Sequence, residues 1–227
     1  VAIGYAIASG SRSVSINNAA GSYSTVASAS NSTAIGGNSS GSQGSQAVTG
    51  SGAMALGGSY ASGTDSFAAA ITNNTSSYGA TGASSIAMGS QAKATNSYGV
   101  ALGAQAVAGQ YAFAVGQGAL AEGRGSLAFG SGARAVQRNK ISFSGPWFST
   151  VGDRQSGLLT LGRDTSDATP TSITSSGGAP ATDNQVILPN NSAYAFHGTI
   201  VARQQASAGT ASAAWKVEGL IRREGSA

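Results

Sequence analysis

The sequence predicts an all-β chain: a parallel β-solenoid over residues 1–137, followed by a small antiparallel β-sandwich over 138–227. Three observations carry this prediction. A tetrapeptide, apolar–Ala–apolar–Gly, recurs along the first part at a basic spacing of 13 or 14 residues. The composition changes near residue 137. The second part then shows alternating runs bounded by turn residues, the pattern of half-buried strands.

The tetrapeptide reads Val1-Ala2-Ile3-Gly4, Met54-Ala55-Leu56-Gly57, Ile86-Ala87-Met88-Gly89, Val100-Ala101-Leu102-Gly103, Phe113-Ala114-Val115-Gly116 and Leu127-Ala128-Phe129-Gly130. Thr33-Ala34-Ile35-Gly36 is a near match, and Val14–Asn17 and Phe67–Ala70 are degenerate copies. Three intervals are longer, at 19, 21 and 19 residues. Their extra residues, such as Ser39–Ser45, are candidate binding loops. Between the tetrapeptides lies Ala-x-Ala, as in Ala92-Lys93-Ala94 and Ala106-Val107-Ala108. Two short strands and two turns per period describe one coil of a solenoid. Strand side chains alternate, so the first and third tetrapeptide residues share one face and Ala takes the other. Gly4, Gly36, Gly57, Gly89, Gly103, Gly116 and Gly130 are expected to supply the positive φ of a tight turn.

The expected repeat core is the larger apolar set: Val1, Ile3, Met54, Leu56, Ile86, Met88, Val100, Leu102, Phe113, Val115, Leu127 and Phe129. Ala suits a narrow interior, or a face that brings the backbone close to a neighbouring chain. Two medium apolar side chains per coil contribute roughly 1.5–3 kcal/mol each when fully buried. Ordering one coil costs about 1–2 kcal/mol per residue in backbone entropy. That balance predicts a chain that needs partner chains.

Ala, Ser and Gly make up 114 of the 227 residues, and charged residues only 9%. Gly does not recur every third residue and only four Pro are present, which excludes collagen. Low charge and a mean hydropathy near zero argue against ordinary disorder. No apolar run approaches the roughly 20 residues that span a bilayer, so no membrane insertion is expected. With no Cys, disulfides and thiol chemistry are excluded. The pI of 9.6 reflects scarce acids and not a basic stripe, so nucleic acid is not an expected partner. Residues 138–227 carry fourteen of the twenty charges, all four Pro, both Trp and the one His. That contrast places a domain boundary near 137.

In the second part, strands are expected at 138–144, 157–162, 185–188, 193–205 and 213–223, with Thr169–Asn184 as a loop. Tyr194, Phe196, Gly198, Ile200 and Ala202 share one face of the longest run, while His197, Thr199, Val201 and Arg203 take the other. Loops on a β scaffold hold chemically distinct groups. The principal contact surface is therefore expected here, with Trp147, His197 and Arg203 as candidate contact residues.

The copies from Ser85-Ile86-Ala87-Met88-Gly89 through Ala133-Arg134-Ala135 resemble the head repeats of trimeric autotransporter adhesins, the YadA-like head. The resemblance implies a left-handed β-roll, a parallel homotrimer and surface adhesion without catalysis or cofactor. The sequence departs from that family after the repeats, where neither its neck signature nor a heptad pattern follows. Instead Asn184–Gly198 and Trp215–Gly225 resemble a distal module of tailed-bacteriophage tail fibres. That second resemblance implies a virion protein that attaches to a bacterial surface receptor, with polysaccharide the expected ligand. A bacterial autotransporter adhesin head is the alternative, and a polysaccharide-depolymerising tailspike is a second.

Little in the sequence favours catalysis. His197 is the only His, mid-strand, and reads as structural. No cluster suits a metal. Asp153, Asp164, Asp167 and Asp183 are the carboxylates available for a glycosidase pair. The aromatic residues say more. Tyr98 and Tyr111 each stand two residues before the apolar start of a coil, so they are expected to stack on adjacent coils about 4.8 Å apart. Such a ladder suits a sugar ring, and equally suits the edge of a coil or packing between chains.

Overall fold

The computed structural model describes residues 1–17, 24–36, 44–71, 77–205 and 211–225. The chain forms two compact units, Val1–Gln185 and Val186–Ala227.

The first unit is a roll of two parallel sheets. One stacks the tetrapeptide strands, from Ala2–Ile3 to Ile141–Ser144, and ends with Gln155–Leu158 added antiparallel. The other stacks the intervening strands, from Ala6–Ala8 to Arg134–Ala135. Successive coils keep one register: Val100 lies beside Phe113, and Leu102 beside Val115. Register also survives the three long intervals, where Val14 meets Thr33, Thr33 meets Met54, and Phe67 meets Ile86. In sequence, the extra residues of each long interval lie between a strand of the first sheet and the next strand of the second. Residues 39–43 of the expected loop Ser39–Ser45 lie outside the described residues. Ser45 itself is buried, and its hydroxyl donates to the Ile35 carbonyl.

The interior is alanine. Ala34, Ala55, Ala68, Ala87, Ala101, Ala114 and Ala128 project inward from the first sheet with no exposed surface. Ala47, Ala61, Ala80, Ala94, Ala108, Ala121 and Ala135 meet them from the second. Several interior serines satisfy their hydroxyls within the turn, as Ser32 does on the Ala29 carbonyl and Ser85 on Gly82, whereas the buried hydroxyls of Ser66 and Ser126 have no partner among the described residues. The expected repeat core is therefore corrected. Val1, Ile3, Met54, Leu56, Ile86, Met88, Val100, Leu102, Phe113, Val115, Leu127 and Phe129 are exposed or half-buried and take the outer face. The reason is size. Strands of two or three residues closed by short turns bring the two sheets so near that the inner face accepts only small side chains.

The seven turn glycines all have positive φ. Gly103 is the most demanding. Its φ of 127 lies beyond the left-handed region that other residues tolerate, and a Cβ there would stand 2.7 Å from the Gly116 carbonyl oxygen. Gly103→Ala is expected to destabilise each chain by about 1–3 kcal/mol, read as a lower melting temperature.

The boundary expected at 137 is also corrected. The roll accepts one more strand, Ile141–Ser144, because Ser142 takes the inward place of alanine as Ser15 does near the other end. Lys140 occupies the slot that Ser126 and Ala112 fill in earlier coils; burial, and secondarily the Arg134 charge, lower its pKa. The chain to Gln185 then folds back on the last coil. The Arg138 backbone donates to the Asp183 carbonyl at 2.8 Å, its guanidinium pairs with the Asp183 carboxylate, and Asn139 donates to the Ser175 carbonyl. That guanidinium holds the Asp183 carboxyl below its ordinary range. A depressed folded value gives stability that is fully present above the ordinary Asp value of about 3.9 and is lost as pH falls through the folded value. Wild type is expected to melt higher than Asp183→Asn near neutral pH, with the difference vanishing in acid.

No β-sandwich is found among the described residues of 138–227. The second unit contains one antiparallel hairpin, Ser192–Arg203 with Ser212–Arg223. The expected strand at 185–188 is absent, because no neighbouring strand pairs with it and Pro189 follows. On one hairpin face Tyr194, Phe196 and Ile200 lie opposite Ile221, Gly219 and Trp215.

Candidate binding surface

The corner leading from the second sheet back into the first holds one positive-φ residue per coil. Arg12, Asn31, Gly52, Asp65, Ser84, Tyr98, Tyr111, Gly125 and Asn139 fill it in succession. Gly, Asn and Asp suit that conformation; a bulky residue there is an outlier. Tyr98 has φ 61 and Tyr111 φ 55. Their rings stack 5.0 Å apart at an interplanar angle of 10°. They remain about half exposed, at 52% and 50%. In the next coil Gly125 has no side chain, and the Arg124 guanidinium lies 5.2 Å from the Tyr111 ring centre. The fold thus brings together the two tyrosines expected from spacing and adds Arg124. The register places Arg124 one residue before the corner, as Ser97 and Gln110 stand in the two earlier coils, but does not show that its side chain reaches back to Tyr111.

A second surface is the outer face of the first sheet. Column one runs Val1, Val14, Thr33, Met54, Phe67, Ile86, Val100, Phe113, Leu127 and Ile141; column two runs from Ile3 to Phe143. Phe113, Phe129 and Phe143 touch along it, with centres 5.9 and 5.7 Å apart. Ten strands at about 4.8 Å give a face about 43 Å long. Monomeric proteins rarely expose a contiguous apolar patch above a few hundred Å².

The other expected contact residues are placed apart from the tyrosines or serve the scaffold. Trp147 lies over Gly132, where a Cβ would clash with the indole, and beside Gly118. His197 and Arg203 share the polar face of the hairpin, where His197 lies opposite Glu218 and Arg203 opposite Ser212. Three of the four candidate acids, Asp153, Asp167 and Asp183, have structural partners, and Asp164 is exposed. Asp153 accepts backbone N–H groups of Ser149, Thr150 and Phe148, which hold its carboxyl below the usual range. Asp167 is lowered by Thr169 in the same way. A general acid of a glycosidase needs the opposite shift. Among the described residues no group of three or more His, Cys, Asp or Glu converges on a metal position. No helix is long and apolar enough to cross a membrane.

The YadA head domain repeat family matches two copies in this chain, residues 80–106 and 108–133. Those copies contain Tyr98, Tyr111 and Arg124. The match, with the all-β roll, points to an adhesin-like function at a surface and to self-association. No curated protein and no solved structure matches the chain.

Proposed function

We propose that this chain is the head of a homotrimeric attachment protein, a non-catalytic adhesin that binds a surface receptor. One observation carries the reading: among the described residues the roll interior is almost all alanine and serine, with Ile71 the one large apolar side chain fully buried, and two columns of larger apolar side chains turn outward. Such a face is at rest only when covered, and three copies of the same face around one axis cover each other without leaving an edge. The apolar face of the hairpin supports the same reading. An isolated two-stranded hairpin is marginal in water, and Trp215 is 51% exposed on this one.

The bacterial autotransporter adhesin is the setting that the repeat match at 80–133 favours. A phage tail fibre is the second reading. It is favoured by the hairpin at 192–223, which stands where an autotransporter head would pass into a helical stalk. Immunogold labelling of bacterial cells and of virions separates the two.

The attachment function is tested with the labelled full chain on cells and on extracted capsule and lipopolysaccharide. Saturable adsorption without release of reducing ends is expected. Release of reducing ends would instead make this a depolymerase, and absence of adsorption to any cell would end the attachment reading.

A further inference from the structure

We infer that the corner formed by Tyr98, Tyr111 and Arg124 is a binding subsite for a carboxylate-bearing pyranose of a surface glycan. The inference rests on the attachment function and gives it a ligand class.

The first argument is conformational. Seven of the nine coils place Gly, Asn, Asp, Ser or Arg at this corner, and only two consecutive coils place a tyrosine in a backbone state that disfavours bulky residues. Strained residues of this kind cluster at functional sites. Nor does the roll interior gain from these rings, because both stand half exposed on its outer edge.

The second argument is the arrangement of the groups. Tyr111 is covered by Tyr98 on one side and carries Arg124 over its ring. Half of each tyrosine's surface remains exposed to solvent. An aromatic face is electron-rich and attracts the polarised C–H face of a sugar ring. Ser97, half-buried, and Gln110, exposed, each precede a tyrosine in the chain and carry a hydroxyl and an amide suited to sugar hydroxyls.

The third argument is charge. Arg138, at the matching place one coil later, is paired with Asp183. Among the described residues no carboxylate pairs with Arg124, which is exposed. A guanidinium positioned on a ring presents a planar fork of N–H donors, the geometry that a carboxylate accepts in two parallel bonds. A neutral sugar leaves that fork unused; an acidic one fills it. Three such corners per trimer raise a weak single contact by avidity.

The test is calorimetric titration of the full chain with sialyllactose, with trigalacturonate and with neutral lactose. Tyr98→Asn/Tyr111→Asn keeps the corner conformation, since Asn31 and Asn139 already adopt it. Binding of at least one acid is expected, at least tenfold weaker in that double variant. Arg124→Gln is expected to erase the preference for acid over lactose. A preference for sialyllactose assigns the source to animal-cell glycans, and one for trigalacturonate to a uronic-acid polysaccharide. The subsite is overturned if neither acid binds, if lactose binds as tightly, or if the double variant binds unchanged. It is also overturned if the double variant falls apart into monomers, because the tyrosines then serve packing between chains. Equal adsorption of wild type and double variant to cells would remove the subsite and leave the attachment function standing. Failure of the wild type to adsorb at all would remove both.

Discussion

Ala114→Leu is expected to destabilise each chain by about 1–3 kcal/mol, and by more if the coil cannot shift. Ala114 is fully buried, with Ala101 and Ala128 beside it in the adjacent strands and the alanines of the second sheet in front of it. A leucine there adds three carbons where neighbouring coils leave space for one methyl group. The coil has no loose side chain to rearrange, so the two sheets must separate. In an assembly of three chains the substitution acts three times. Thermal unfolding followed by circular dichroism reads the effect. Thr95→Ala, on an exposed turn, is the control and should change stability by less than about 0.5 kcal/mol. An unchanged melting temperature in Ala114→Leu would mean that the small-residue face is not the interior.

The paired substitution Val100→Glu/Phe113→Glu acts on the opposite face and gives the other large effect. These residues are neighbours in column one, half-buried in the single chain. If the face stayed in water, two carboxylates would cost little. If another copy covers it, each charge loses its hydration without a partner, which costs several kcal/mol. A loss of that size weakens association by at least about a thousandfold. Chemical crosslinking is expected to capture the wild-type oligomer and only single chains of the double variant. Crosslinked oligomers of both, in equal yield, would place column one in solvent.

The spacing of the coils is legible in the sequence because Val100–Gly103 and Phe113–Gly116 repeat the same four roles thirteen residues apart. The same alternation shows which side chains share a face. It does not show which face is inside, because both are apolar: Ala101 on one side, Val100 and Leu102 on the other. Ordinarily a polar face settles the matter. Here volume settles it, and volume depends on how near the two sheets approach, which is a property of the closed coil. The larger set expected as repeat core therefore turns outward, and Ala takes the narrow interior that its size suits.

The candidate site divides in a similar way. Tyr98 and Tyr111 were legible as a stack because each stands two residues before a strand, a position that the parallel register repeats. Arg124 was not, because it stands one residue earlier in its own coil, and its guanidinium reaches Tyr111 through a side-chain conformation that no spacing encodes. Trp147 was expected to contact a ligand; its packing over Gly118 and Gly132 joins positions that only the folded chain brings together. In the second unit the alternation located Ser192–Arg203 and Ser212–Arg223 to within two residues. It misread Val186–Leu188, where an apolar run has no strand beside it, and it inferred a sandwich from what is one hairpin in the single chain.

Sedimentation velocity of the full chain at micromolar concentration tests most directly whether the outward apolar columns are an interface. A single species of about three times the 22.0 kDa chain mass, with no folded species below it on dilution, is the expected result. A compact 22.0 kDa monomer with undiminished β-sheet signal would contradict it.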